Sequence, residues 1–247
     1  MKSRYSKSLL ALSSTALTLS SMSYADAPPP QSTASIKSTN YQEDDLLNNE
    51  VLFGELSRYD IDVHQFQLIT PVSRNSSLQI NGSYDSLSGA SPWFTSADAE
   101  GEPIVNLSGA SGIYDERREL SVGGSYYFEN DTLSASAGRS AENDYTATFI
   151  NVGLAHELKN KLTTISLNAS VSNDDIFPTD ANKFNRIERA SKRSVSTALS
   201  VSHIINQFST YQTAISVTNQ KGFLSDPYKL RDIRPDTKSQ YAWTNSF

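Results

Sequence analysis

The chain has 247 residues, no cysteine and a net charge of −6, with 21 basic and 27 acidic residues. The absence of cysteine excludes disulfides, thiolate metal sites and cysteine nucleophiles. An acidic chain without basic clusters is poorly suited to bind nucleic acid or the anionic inner leaflet of a membrane. We therefore expect no nucleic-acid partner.

Residues 1–25 have the organisation of a secretory signal peptide. Three basic residues precede an uncharged apolar stretch, and Ser23 and Ala25 fit a small-residue cleavage site. Cleavage after Ala25 is therefore predicted. The alternative is an uncleaved anchor, but the stretch is shorter than the ~20 apolar residues that span a bilayer. Removing the three basic residues leaves 18 basic against 27 acidic residues, a net charge of −9.

After a short proline-rich lead at 26–31, residues 32–247 carry a two-residue period. Between Leu162 and Val171, apolar residues alternate with Ser, Thr and Asn, which is typical of a strand whose faces meet different surroundings. The same alternation recurs along the chain. We predict ten strands, near 32–43, 59–70, 77–86, 118–128, 132–142, 145–157, 162–172, 193–205, 209–219 and 237–247.

The polar face of these strands consists of small, uncharged residues, which suit a water-filled lumen better than the surface of a soluble protein. Leu167 and Val201 are predicted to face lipid, and Ser166 and Ser200 the lumen. No stretch after the signal is long enough for a spanning helix, so a membrane location would require a barrel. We predict an all-β fold, an antiparallel up-and-down meander forming a transmembrane β-barrel. The alternative is a soluble secreted or surface β-domain that binds a ligand or partner.

Connections of alternating length support an outer-membrane location. Long loops are predicted near 44–58, 87–117, 173–192 and 220–236, and short turns separate the other strands, apart from a brief connection near 143 on the loop side. Aromatic residues flank both sets, as at membrane interfaces: Tyr126, Tyr127, Phe128, Phe208 and Tyr211 beside turns, and Tyr84 and Tyr145 beside loops. Outer-membrane lipid and lipopolysaccharide are the expected partners.

Residues that could carry chemistry are few. The three histidines, His64, His156 and His203, have no recognisable catalytic setting, and the nucleophile-elbow, P-loop, dinucleotide and zinc-protease motifs are absent. We predict no catalytic, cofactor-binding or metal-binding residues and a non-enzymatic, structural or channel-like protein. Three acidic clusters are interpreted as solvated loops; if they bind anything, divalent cations bridging them to lipopolysaccharide are expected. These clusters are Glu43 to Asp45, Asp174 and Asp175 with Asp180, and Asp115 with Glu116.

Several segments resemble a family of proteobacterial outer-membrane proteins that are classified only as a domain of unknown function and predicted to form barrels. They are Tyr84 to Pro92, Asn143 to Tyr145, Val171 to Pro178, and Arg234 to Asp236 before Gln240 to Thr244. The resemblance implies an outer-membrane location and no established activity.

The carboxyl end allows two interpretations. Family members look longer, which implies a carboxyl-terminally truncated member with an incomplete barrel. Alternatively, ten strands close into a narrow barrel, because Tyr241, Trp243 and Phe247 resemble the terminal aromatic pattern that the barrel-assembly machinery reads. That machinery is the partner expected during biogenesis.

Overall fold

A computed structural model of the chain describes residues 27–45, 60–88, 93–97, 103–107, 114–179, 181–228 and 232–247. The predicted signal peptide and its cleavage site lie outside these residues. All the regular structure described is β-strand. The strands are β1 (Thr33–Gln42), β2 (Asp60–Ser73), β3 (Ser76–Ser88), β4 (Trp93–Ala97), β5 (Pro103–Leu107), β6 (Tyr114–Tyr127), β7 (Asp131–Ala141), β8 (Tyr145–Glu157), β9 (Thr163–Ile176), β10 (Ala190–Asn206), β11 (Ser209–Gly222) and β12 (Thr237–Ser246).

Ten strands form one antiparallel sheet in the order β1-β2-β3-β6-β7-β8-β9-β10-β11-β12. This confirms the predicted all-β meander. Strands β4 and β5 make a separate hairpin between β3 and β6, inside the segment 87–117 that the sequence predicts to be a loop. Their sequences, WFTSA and PIVNL, lack the strict alternation of apolar and polar residues that marks the other strands.

The connections fall into two groups, at opposite ends of the sheet. We call the turn end the one that holds the connections at 74–75, 128–130, 158–162 and 207–208. The loop end holds the connections at 43–59, 89–113, 142–144, 177–189 and 223–236. This arrangement matches the predicted separation of turns and loops, including the brief connection near 143.

The two faces of the sheet are inverted relative to a soluble protein. Ser77, Ser121, Thr132 and Ser166 are buried, and Ala155 is the one buried hydrophobic side chain in the described strands. Large apolar side chains are exposed on the opposite face, and the predicted pair behaves accordingly: Ser166 is 3% exposed and Leu167 is 48% exposed.

The sheet curls toward its polar face. A cavity of about 750 Å³ is lined by residues from β1 through β10, including Lys37 on the edge strand β1 and Ser196 seven strands away in the sheet order. Strands spaced about 4.8 Å apart in a flat sheet could not enclose one cavity in this way. We call the two sides the concave and convex faces.

Small residues permit this curvature on the concave face. An alanine Cβ at Gly138 would lie 2.5 Å from Cζ of Phe149 and 2.8 Å from the carbonyl oxygen of Leu120. The Phe149 ring therefore occupies the space that a side chain on the neighbouring strand would need.

Gly138→Ala should lower the free energy of unfolding by about 1–3 kcal/mol, because a backbone oxygen cannot move aside as a side chain can. Urea-induced unfolding of the folded protein measures the change. Gly82→Ala is the control, since the nearest atom to its Cβ would be 3.8 Å away. Equal losses in the two variants would contradict the close-packing argument.

Strands β1 and β12 are the edges of the sheet. In the described part of the chain, β1 pairs with β2 alone and β12 with β11 alone. Each edge therefore presents a row of backbone N–H and C=O groups without a strand partner.

Candidate functional site

The floor of the concave face is a hydrogen-bonded array of uncharged polar side chains. Asn81 is its centre: its Oδ1 accepts bonds from Gln67 at 3.1 Å and Gln79 at 3.0 Å, and its Nδ2 donates to Ser121 at 3.3 Å. Asn151 donates similarly to Ser136 at 3.1 Å. Side chains that satisfy one another across strands give a polar surface without net charge.

Charged residues appear at the loop end of the same face, in pairs. Arg117 Nε donates to Asp85 Oδ2 at 2.6 Å, and Ser83 donates to the other carboxylate oxygen of Asp85 at 2.7 Å. Arg117, Lys37 and Glu119 all line the cavity. The lining of the cavity therefore includes charged side chains as well as the neutral array around Asn81.

A second ion pair, between Asp174 of β9 and Lys192 of β10, lies on the concave face. The Asp174 carboxylate is 5% exposed and accepts hydrogen bonds from Tyr145 at 2.5 Å and from Ser172. Lys192 Nζ lies 3.3 Å from Asp174 Oδ2 and 5.2 Å from the Tyr145 ring centre. We call Tyr145, Ser172, Asp174 and Lys192 the Asp174 cluster.

Tyr228 ties three of the loop-end connections together. Its hydroxyl donates to the Asp144 carboxylate between β7 and β8, and it accepts the backbone N–H of Thr179 at 3.1 Å between β9 and β10. Arg186 stacks over the Tyr228 ring with its guanidinium 4.8 Å from the ring centre, and donates to the Thr179 carbonyl at 3.0 Å. Burial and the bond to Asp144 raise the pKa of Tyr228.

Glu142, in the connection between β7 and β8, carries a raised pKa. Its partial burial is the largest cause, and the carboxylates of Asp115, Asp144 and Asp85 add to it, while Arg117 acts in the opposite direction. An acid whose pKa is higher in the folded state binds more protons there than in the unfolded chain. The free energy of unfolding therefore falls as the pH rises from 4.5, the pKa of the unfolded chain, through the raised pKa of the folded state.

Glu142→Gln should raise the unfolding temperature at neutral pH and flatten its decline above pH 4.5, because the amide carries no charge to desolvate. Thermal unfolding recorded between pH 4 and 8 tests both parts. Glu129→Gln, at the exposed turn between β6 and β7, is the control and should leave the profile unchanged. A lower unfolding temperature for Glu142→Gln at neutral pH would contradict the assigned direction.

The three histidines bond to polar side chains of neighbouring strands. His64 Nδ1 lies 3.1 Å from Ser38 Oγ, and its ring stacks on Tyr84. His156 Nδ1 lies 2.8 Å from Asp131, and His203 Nδ1 lies 2.8 Å from Thr163 Oγ1. His156 and His203 are both at the turn end of the sheet.

The fold disperses two of the three acidic clusters of the sequence, and in the third Glu43 accepts a hydrogen bond from the Tyr41 hydroxyl. Asp174 lies in its cluster on the concave face, while Asp175 pairs with Arg189; Asp180 is outside the described residues. Asp115 accepts from Asn143, and Glu116 accepts from Tyr84 and Arg118. In the described segments, no group of three or more His, Cys, Asp or Glu side chains is placed to hold a metal ion.

The comparison with protein families gives one result. Residues 7–245 match the family described as "Protein of unknown function (DUF3570)". The chain belongs to this family. No curated protein and no solved structure matches it.

This member of DUF3570 therefore has a polar concave face with paired charges at one end. Sequence reasoning did not identify the Asp174 cluster, because Asp174, Tyr145 and Lys192 are far apart in the chain and only strand register brings them together. Tyr145 begins a predicted strand, and Asp174 and Lys192 lie in the predicted loop 173–192 within two residues of predicted strands; this closeness was the one available signal. The described residues contain no helix of the length and apolar character needed to cross a membrane.

Proposed function

We propose that this chain forms the wall of an outer-membrane β-barrel, with the convex face against lipid and the concave face lining the lumen. The role is structural or channel-like and non-enzymatic. The proposal rests on the inverted distribution of apolar and polar side chains over the two faces.

One continuous set of side chains carries this proposal. Seven large apolar residues are direct cross-strand neighbours on seven consecutive strands of the sheet, from β6 to β12, and their exposed fractions range from 44% to 72%. At about 4.8 Å per strand, the row is about 29 Å wide. We call it the apolar ladder: Tyr126, Leu133, Leu154, Leu167, Leu199, Ile215 and Trp243.

The apolar ladder is hard to reconcile with water on the convex face. Soluble monomers rarely expose contiguous apolar patches larger than a few hundred Å². In a bilayer, the same side chains meet hydrocarbon, and the sheet needs no apolar core on its other side.

The height of the convex face supports the same environment. The outward-facing positions between 195 and 201 of β10 hold Val, Thr, Leu and Val, and the ionisable residues Arg193 and His203 flank them, ten positions apart. At about 3.4 Å per residue and a tilt of about 40°, they are about 26 Å apart along the barrel axis. The apolar band of outer-membrane barrels is about 25 Å tall.

Aromatic residues mark the turn end of this band. Tyr126 and Phe128 pack with ring centres 4.8 Å apart on the convex side, and Tyr211 donates to Asn245. Tyr127 and Tyr145 differ from the sequence interpretation: both turn to the concave face, where they bond to Ser77 and Asp174. Parity along the strand decides this, not closeness to a turn.

Fractionation of the native host tests the proposal. The protein should be recovered from the detergent-extracted outer membrane, migrate faster on gels before heating than after, and begin at Asp26 in amino-terminal sequencing. Recovery from the periplasm or medium as a soluble protein would refute the proposal and favour a secreted binding domain.

A further inference from the structure

A row of polar and cationic side chains crosses the convex face at the loop end. Asn173, Arg193 and Lys221 are direct cross-strand neighbours on β9, β10 and β11, and all three side chains are exposed. Their positions have the outward parity of Leu167, Leu199 and Ile215. We call these three residues the cationic triplet.

The two cations of the triplet lie opposite one another without a counter-charge. Directly opposed side chains have Cβ atoms about 5 Å apart, where like charges repel. Within the described residues, no carboxylate lies at ion-pair distance from Arg193 or Lys221. The nearest acidic positions in sequence are already paired, Asp174 with Lys192 on the other face and Asp175 with Arg189.

Apolar surface begins immediately toward the turn end. Two positions closer to the turn end than Asn173 and Arg193 lie Val171 and Val195, which are paired with each other. Leu167 and Leu199 of the apolar ladder lie four positions closer still. The triplet thus stands at the margin of the surface that we propose contacts lipid. A ligand that fits both parts has an anionic head and hydrocarbon tails.

The geometry points to the phosphate of an outer-leaflet lipid as the occupant of the cationic triplet. Arginine presents a planar fork that matches phosphate oxygens, lysine adds a point charge, and the asparagine amide supplies another donor. Phosphate would relieve the repulsion between Arg193 and Lys221. This inference rests on the proposed membrane location, and it differs from divalent cations bridging acidic loops because the contact needs no metal.

Binding is tested with the purified full chain in neutral detergent containing EDTA, by titration with lipid A, with lipid A stripped of its phosphates, and with inorganic phosphate. The wild-type protein should bind phosphorylated lipid A at least about tenfold more tightly than either alternative, since charge-assisted hydrogen bonds are among the strong ones. Arg193→Gln combined with Lys221→Gln should abolish that preference.

The control variant combines Arg118→Gln with Arg189→Gln, which removes the same charge at the same end of the sheet from arginines already paired with Glu116 and Asp175. It should retain the preference to within about threefold, because its arginines are exposed and paired. Equal weakening in both variants would show general electrostatic attraction and overturn the assignment. Equal binding of inorganic phosphate would overturn the lipid as the ligand.

Two further measurements separate the possible failures. Without lipid, the Arg193 and Lys221 double variant should fold, shift on gels and unfold at the wild-type temperature or above it, since it has lost a like-charge contact. If the wild-type protein is recovered from the outer membrane but the double variant binds lipid A normally, this inference fails alone. If the wild-type protein is soluble, both proposals fail.

Discussion

Arginine at Leu167 should prevent or strongly destabilise folding into membranes. Its cross-strand neighbour Leu199 lies near the midpoint between Arg193 and His203 on β10, and Leu167 is 48% exposed, so in the proposed orientation a charge there would lie near the bilayer midplane. The expected cost is about 2–4 kcal/mol. Unfolding by urea in lipid vesicles measures it, together with the fraction of protein that shows the gel shift.

The control is Ser170→Arg on the same strand, with a side chain on the opposite face that lines the cavity. It should change stability much less, because a cavity filled with water accepts the charge. Ser166 is a poorer choice, since its 3% exposure leaves no room for arginine. In a soluble domain the order reverses: arginine at an exposed leucine is then the harmless change, and that outcome would refute the membrane assignment.

Removal of the Asp174 carboxylate has the second large expected effect. Asp174→Ala deprives Tyr145 and Ser172 of their acceptor and leaves Lys192, itself only 22% exposed, without its counter-ion. We expect a loss of about 2–4 kcal/mol in the free energy of unfolding, because partners stranded away from water bear the full penalty. The measurement is the urea midpoint at neutral pH.

Asp175→Ala is a matched control from the next position. Its side chain points to the other face and pairs with Arg189 in an exposed ion pair, so the loss should be about 0–1 kcal/mol. Similar losses for the two alanine variants would mean that the burial of Asp174 has no energetic consequence. Asp174→Asn, which keeps the shape, should fall between the two.

The strands could be predicted from the sequence because their two faces carry chemically different side chains. The alternation in 162–172 and its repeats identified all ten strands of the large sheet, and β8 was predicted with the bounds that the structure gives. Alternation also fixed which side chains share a face, as Leu167 and Ser166 show.

The loop-end extensions of the strands could not be predicted in the same way. Strand β6 begins at Tyr114 where the sequence indicated 118, and β9 continues to Ile176 where it indicated 172. In these extensions charged residues replace the alternating pattern, and cross-strand pairs such as Arg117 with Asp85 hold the ladder together. Such pairs depend on register, which a single sequence does not contain.

The Asp174 cluster and the cationic triplet were missed for that reason too. Arg193 and Lys221 are 28 positions apart in the chain, and their adjacency follows from the tight turn near 207–208, the register shift between Ile204 and Asn206, and the regular pairing beyond it. No local motif marks them. Once the register is known, their unrelieved repulsion contrasts with loop-end ion pairs such as Arg117 with Asp85 and Arg189 with Asp175.

The alternation of side chains also constrains what can cover the two unpaired edges. On β1 the odd-numbered Ser35 and Lys37 line the cavity. On β12 the even-numbered residues share that face, because Gln240 lies opposite Thr218, which bonds to the cavity-lining Ser196. If the two edges met, a continuous lumen would require odd positions of β1 to face even positions of β12.

The odd and even positions therefore limit how β1 and β12 could pair with each other. Thr244 could pair with Thr39 or Tyr41, but not with Ser38 or Asn40. A shift of one residue would move the hydroxyl and amide side chains to the convex face, which we propose contacts the hydrocarbon of the bilayer. The register between β1 and β12 can therefore change only in steps of two residues, and each step changes the shear and the width of the pore. The diameter of such a channel would take discrete values and could not vary continuously.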